Sequence, residues 1–256
     1  EKGDLDVSKE ELNQAFGNDR KAAMNKEQES INKMMSSIKH KIVVCSGKGG
    51  VGKSTVAVNL AMALAKKNLK VGILDVDITG PNVPKMLGLE GERPNVIPGT
   101  NRFHPVVVNL LSEPVKVMSM AFLLETEDTP VIWRGPLKMR AIRQFIAEGE
   151  WGELDYLVAD LPPGTSDETL DIMQLTGEDS GVVIVTTPQD VAVLDAKKTV
   201  NMSRKMQKPI IGIVENMSGF KVTCPKCGEE TEYDLFGTNG GKKAAEMFKV
   251  PFLGKI

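Results

Sequence analysis

At 256 residues, the chain is long enough for one α/β domain with a substantial core. Its formal charge of −2 sets up no global basic field, and 2 Trp with 2 Tyr leave few platforms for stacking single-stranded bases, so no nucleic-acid partner is expected. There is no apolar run of about 18 residues, no signal-peptide core behind the charged N-terminus, and 3 Cys are too few for a disulfide framework, so the expectation is a soluble cytoplasmic protein without a membrane partner.

Residues 1–38 are polar and charged, with Leu12, Phe16, Met24, Ile31 and Met34 scattered irregularly. That spacing leaves open a docking helix or a partly disordered arm, ahead of a single domain over 39–256. Ile42-Val43-Val44-Cys45 reads as a short buried strand. Gly47-Lys48-Gly49-Gly50-Val51-Gly52-Lys53-Ser54-Thr55 follows, and residues 54–67 then place Val56, Leu60, Ala63 and Leu64 on one helical face. A strand, a glycine loop and a helix N-terminus make an anion site, because glycine lets backbone N–H groups close on phosphate oxygens where a Cβ would obstruct. In such a loop Lys53 reaches the β- and γ-phosphates and the Ser54 hydroxyl holds Mg²⁺. Lys48 comes too early for that task. It can extend toward a nucleotide held by a second subunit, or it is a solvated loop lysine.

Residues 71–75 form the second strand, and Asp75 and Asp77 flank Val76 at its end. They are expected on opposite sides of the chain, in different roles, although either can instead cap a helix or a turn. Residues 93–122 should hold a hairpin with strands at 106–111 and 115–118, and residues 136–147 a helix with Pro136 in its first turn. Asp160 ends the apolar strand at 154–160, where a carboxylate emerges beside the phosphate loop and can hold Mg²⁺ directly or through water. Pro162-Pro163-Gly164 is a stiff turn ending in a flexible residue, suited to sensing the γ-phosphate or simply leaving a strand. Helices at 167–175 and 191–206 alternate with strands at 182–186 and 210–215. Asn216 then offers a donor and an acceptor suited to an adenine edge, or to a local Asx-turn. A helix at 237–248 and a strand at 250–253 close the chain. The alternation implies an α/β fold, a doubly wound and mostly parallel sheet with helices on both faces.

Cys224-Pro225-Lys226-Cys227 places two of the 3 cysteines three positions apart, in a loop with Gly219 and Gly228 where both thiolates can face one metal. Lys221 and Lys226 are expected to lower the thiol pKa values. One pair supplies half of the shell that tetrahedral zinc or a 4Fe–4S cluster requires. His40 and His104 are isolated and Cys45 belongs to the phosphate-loop strand, so completion calls for a second chain and, most economically, a homodimer. A thioredoxin-like redox pair is the other use of the motif, but it belongs at a helix start. Spacing does not choose between zinc and iron–sulfur.

Ser46 to Thr55 resembles the deviant Walker A loop of the MinD/ParA/nitrogenase-iron-protein class of ATPases. Asp75-Val76-Asp77-Ile78-Thr79-Gly80-Pro81-Asn82-Val83-Pro84, Trp133-Arg134-Gly135-Pro136, Asp160-Leu161-Pro162-Pro163-Gly164-Thr165 and Glu215-Asn216-Met217-Ser218 resemble its Mrp-type (ApbC-like) branch, the iron–sulfur cluster carriers. The likeness runs from about Ile42 to the end. It implies a slow ATPase with Lys48, Lys53 and Asp77 as catalytic residues, Asp77 orienting the attacking water and Asp75 supporting the magnesium shell or a loop hydrogen bond. Residues 47–55 and Asn216 would bind ATP. Ser54 and Asp160 would hold Mg²⁺, and Cys224 with Cys227 would hold a labile 4Fe–4S cluster bridging a homodimer. It further implies a cluster donor scaffold and apo iron–sulfur proteins as partners. It also implies that an adenine-closing segment and another helix follow Gly254-Lys255-Ile256. The rival classes are a MinD/ParA-like positioning ATPase, which has no use for the Cys pair, and an electron donor like the nitrogenase iron protein.

Overall fold

The computed structural model describes residues 24–77, 80–123 and 135–256. Ile78, Thr79, Trp133, Arg134 and the arm up to residue 23 lie outside them. Residues 24–36 form helix α1, and its Ile31 and Met35 are buried in the core. The domain's packing therefore begins upstream of residue 39, since Ile31 and Met35, with Met34 packed beside them, dock this helix.

An eight-stranded sheet runs in the order β12-β9-β8-β1-β7-β2-β6-β5. Its strands are β1 (Ile38–Cys45), β2 (Val71–Asp75), β5 (Val106–Val108), β6 (Val115–Ser119), β7 (Leu154–Asp160), β8 (Gly181–Thr186), β9 (Ile210–Glu215) and β12 (Phe252–Lys255). All neighbours are parallel except β5, which pairs antiparallel with β6 as the expected hairpin, though β5 stops at Val108. A small second hairpin joins β3 (Asn95–Val96) to β4 (Phe103–His104). Alternation divides the central strands between two cores: Val43, Cys45, Leu157 and Ala159 face one, Val44 and Val158 the other.

Helix α2 (Lys53–Ala65), with the short α3 (Val83–Leu87), covers the second core. Its buried face is Val56, Ala57, Val58, Ala61 and Ala65, while Ala63 is exposed and Leu60 and Leu64 are half-buried. The expected face was thus turned: small alanines let the helix lie close to the sheet, pushing the leucines to its flank. Helices α4 (Gly135–Glu148), α5 (Asp167–Leu175), α6 (Asp190–Lys205) and α7 (Gly240–Phe248) contribute to the first core. Between β9 and α7 a two-stranded ribbon, β10 (Phe220–Thr223) with β11 (Glu230–Tyr233), stands apart from the main sheet with every residue exposed.

Candidate functional site

β1 lies between β8 and β7, where the strand order reverses, and parallel strands present their ligand sites at that crevice. In register, Val44 lies opposite Asp160 and Asp160 opposite Asp75, so the ends of β1, β7 and β2 converge. The phosphate loop starts from this edge. Gly50 and Gly52 adopt positive φ (76° and 80°), and Gly52 enters α2 in the left-handed conformation that glycine takes without strain. The turn after β7 is bonded to the loop's base, with Leu161 N donating to Val44 O (3.1 Å) and Gly164 N to Ser46 O (2.8 Å).

Lys53 is 6% exposed, and its ammonium meets Asp160 Oδ1 at 2.6 Å, Asp77 Oδ2 at 3.7 Å and Ser54 Oγ at 3.4 Å. Asp160 is wholly buried, and among the described residues its Oδ2 has no hydrogen-bond partner. Burial pushes the Asp160 carboxyl up, opposed by the Lys53 ammonium. An orphaned carboxylate oxygen beside the Ser54 hydroxyl is a donor set that fits Mg²⁺, a hard cation taking oxygen ligands.

The expectation that Asp75 and Asp77 diverge is overturned. Positions two apart share a face of an extended chain, and both carboxylates lie near Lys53. Asp75 Oδ2 accepts from Ser119 Oγ (2.7 Å) and its Oδ1 from Asp77 N (3.2 Å), so Asp75 braces the backbone that presents Asp77. Sequence reasoning missed Ser119, whose only signal was its place at the end of a strand beside β2. Burial, with the Asp160 charge close by, pushes Asp75 up to about 8. In the unfolded chain it titrates near pH 4, so between about 4 and 8 the folded form holds the extra proton and stability falls as pH rises. In nucleotide- and metal-free protein, Asp75→Asn should flatten that part of the urea-midpoint curve; parallel curves would refute the assignment.

Lys48 Nζ donates to Gln189 Oε1 (3.1 Å) within the same chain, on the loop that leads into α6. Asn216 Nδ2 donates to Val51 O (2.9 Å), and a Cβ on Gly52 would strike that amide. Beside it, a cavity of about 600 Å³ is lined by Thr55, Asn59, Leu60, Ile211, Val214 and Asn216 among others. The structure thus gathers Lys53, Ser54, Asp77, Asp160 and Asn216 around the loop, with exposed Thr55 at the rim of the cavity.

The Cys pair is in the turn of the ribbon. Cys224 N donates to Glu229 O (2.8 Å) and Gly228 N to Cys224 O (2.9 Å), which closes the turn. Cys224 is half-buried and Cys227 exposed. The Cys224 thiol is held below its ordinary range, first by the backbone N–H of Cys227, then by that of Lys226 and by the Cys227 thiol. The lysine charges expected to do this are not the cause; Lys221 instead lies opposite Glu232 across the ribbon. Cys45 is the reverse case, its thiol pushed up to about 12 by burial. His40 packs against the Tyr156 ring at 4.8 Å, away from any thiol. Among the described residues, no three His, Cys, Asp or Glu side chains gather as a metal site.

Fold and loop together define a P-loop NTPase, with its phosphate loop at the switch point of a mostly parallel sheet. Residues 37–256 match the family described as ParA: NUBPL iron-transfer P-loop NTPase, and the chain belongs to that family. An iron-sulfur cluster carrier protein of Methanocaldococcus jannaschii is 52% identical over 238 residues, covering 93% of this chain and 79% of that one. The cytosolic Fe-S cluster assembly factor CFD1 of Saccharomyces cerevisiae is 47% identical over 226 residues, 87% of this chain and 75% of the relative. Among solved structures, a nucleotide-binding protein of Archaeoglobus fulgidus in complex with ADP, in which cobalt was found, superposes with a TM-score of 0.75 at 41% identity, covering 90% of this chain and 86% of that chain.

Proposed function

We propose that the protein is an ATP-hydrolysing carrier that takes up a 4Fe–4S cluster as cargo between two copies of itself and delivers it to apoproteins in the cytosol. The observation that carries this reading is the pair of thiols in an exposed turn of a chain that also has a complete phosphate-binding cluster. The printed names of the relatives support the same cargo. Two thiolates are half of a cluster's ligand set, so a second copy supplies the rest. Exposure of Cys227 suits cargo that must leave, and the lowered Cys224 thiol suits a ligand that must be a thiolate.

ATP would lie with its phosphates on residues 47–55 and its base in the cavity beside Asn216. Mg²⁺, held by Ser54 and Asp160, would neutralise charge on the β- and γ-phosphate oxygens. Lys53 stabilises negative charge on the transferring phosphoryl group, and Asp77 orients the attacking water. Lys48, half-buried at the loop's start, would leave Gln189 to meet the nucleotide of the partner copy. Asp77→Asn should lower hydrolysis by about a hundredfold through a misplaced water while ATP still binds; wild-type turnover in that variant would refute the role.

Anaerobic reconstitution, with Mössbauer spectra and an iron count per dimer, followed by transfer to an apoprotein acceptor, tests the function. The expected result is one 4Fe–4S cluster per dimer that leaves for the acceptor. A cluster that stays and cycles electrons would favour an electron donor, and zinc alone in the thiolate site would make it a structural clasp.

A further inference from the structure

Glu215 ends β9 with its side chain wholly buried. Its two carboxylate oxygens are gripped by different donors: Ser218 Oγ donates to Oε1 at 2.7 Å and Gly241 N to Oε2 at 2.6 Å. Ser218 leads into β10, and Gly241 lies in the first turn of α7. One carboxylate therefore ties the entrance and the exit of the segment that carries Cys224 and Cys227. The fit is close, since a Cβ on Gly241 would come within 2.9 Å of Glu215 Cβ. A carboxylate accepts from both donors at once, whereas an amide could keep both contacts only by accepting from Gly241 N and donating to the Ser218 hydroxyl.

The next residue on the same strand end faces the other way. Asn216 holds the phosphate loop through Val51 O, and its own N–H donates to Thr186 O at 2.8 Å. Adjacent side chains of β9 thus hold the nucleotide loop on one side and the thiol ribbon on the other. A shift of Asn216 when a base enters the neighbouring cavity would move the Glu215 backbone, and with it both ends of the ribbon together.

We propose that Glu215 is a positioning residue that couples nucleotide occupancy of the phosphate loop to the geometry of the Cys224–Cys227 ribbon. The purpose of this coupling, regulation of cargo binding, rests on the carrier reading; the coupling itself does not. It requires only that the ribbon has two arrangements whose populations the nucleotide biases.

The test is the alkylation rate of Cys227 in the full-length apoprotein, read by mass spectrometry with and without Mg-ATP or a non-hydrolysable analogue. Buried Cys45 serves as the internal reference. In the wild type, nucleotide should change the rate by about fivefold or more, the range of ordinary site-to-site coupling. Glu215→Ala should remove most of that response, because both tethers are lost together. Ser218→Ala releases the entrance alone, in a half-buried position where the domain still folds, and should remove part of it while nucleotide affinity stays unchanged. An unresponsive wild type, or a full response in the Ser218→Ala protein, overturns the proposal. A wild type that responds but fails to load iron leaves the coupling standing and refutes the carrier reading instead.

Discussion

Lys53→Ala is expected to lower ATP hydrolysis by about a thousandfold, the upper range for removing one pre-positioned charge from a transition state. The ammonium is 6% exposed and meets Asp160 at 2.6 Å and Asp77 at 3.7 Å, so it is already aimed where phosphoryl charge would develop. Its loss also leaves three acidic groups clustered without their cation. Breaking a buried pair by removing one partner costs about 3–5 kcal/mol, lessened here as Asp160 and Asp75, both already pushed toward the protonated form, take up protons. The variant should therefore melt lower as well as turn over more slowly, and the melting deficit should shrink as pH falls. Steady-state phosphate release and thermal unfolding at two pH values check both parts; normal turnover would remove Lys53 from the mechanism.

Cys227→Ala is expected to abolish cluster loading while leaving ATP binding intact. The thiol is exposed, in the turn of a ribbon separate from the main sheet, so its removal disturbs no core packing. In a dimer the substitution deletes two ligands of four. Changes to groups that only orient ligands already cost about 10–100-fold in metal affinity, so losing the ligands themselves should leave no stable cluster. Iron content after anaerobic reconstitution, beside a nucleotide titration, is the measurement. A full cluster per dimer in the variant would show that these thiols are not the ligands.

The main sheet was legible wherever strands are continuous apolar runs between polar turns. β7 and β9 begin and end where the sequence indicated, as does α5. The helix after the phosphate loop was legible in position but not in orientation. Its buried stripe is mostly alanine, which a search for large apolar residues passes over. Helix α1 docks through Ile31, Met34 and Met35, one turn of apolar contact that is too short to stand out as a repeating period among its polar neighbours. The β10–β11 ribbon left no strand signature because neither of its faces meets a core.

In the site, Gly47 to Thr55 and the Cys pair announced themselves by spacing, since their chemistry is local. Roles set by neighbours distant in sequence were not visible. The Ser119 bond to Asp75 depends on β6 lying beside β2, and the lowering of Cys224 depends on where a turn aims its N–H groups. Asp75 and Asp77 were misjudged by a period error, which the shared Lys53 neighbourhood corrects. Glu215 and Ser218 stand in the motif Glu215-Asn216-Met217-Ser218, but nothing in the sequence shows that they bond each other or that Glu215 reaches Gly241.

The ribbon's wholly solvent-facing strands carry a last consequence. Phe220, Val222 and Tyr233 line one side and Lys221 and Glu232 the other, and none of them is needed to fill the domain's interior. Mutational drift in these positions is therefore unconstrained by folding of the ATP-handling body, so the ribbon behaves as a cassette. If the carrier reading holds, different acceptor surfaces could be matched by rewriting a few outward side chains while the nucleotide-binding body beneath stays the same.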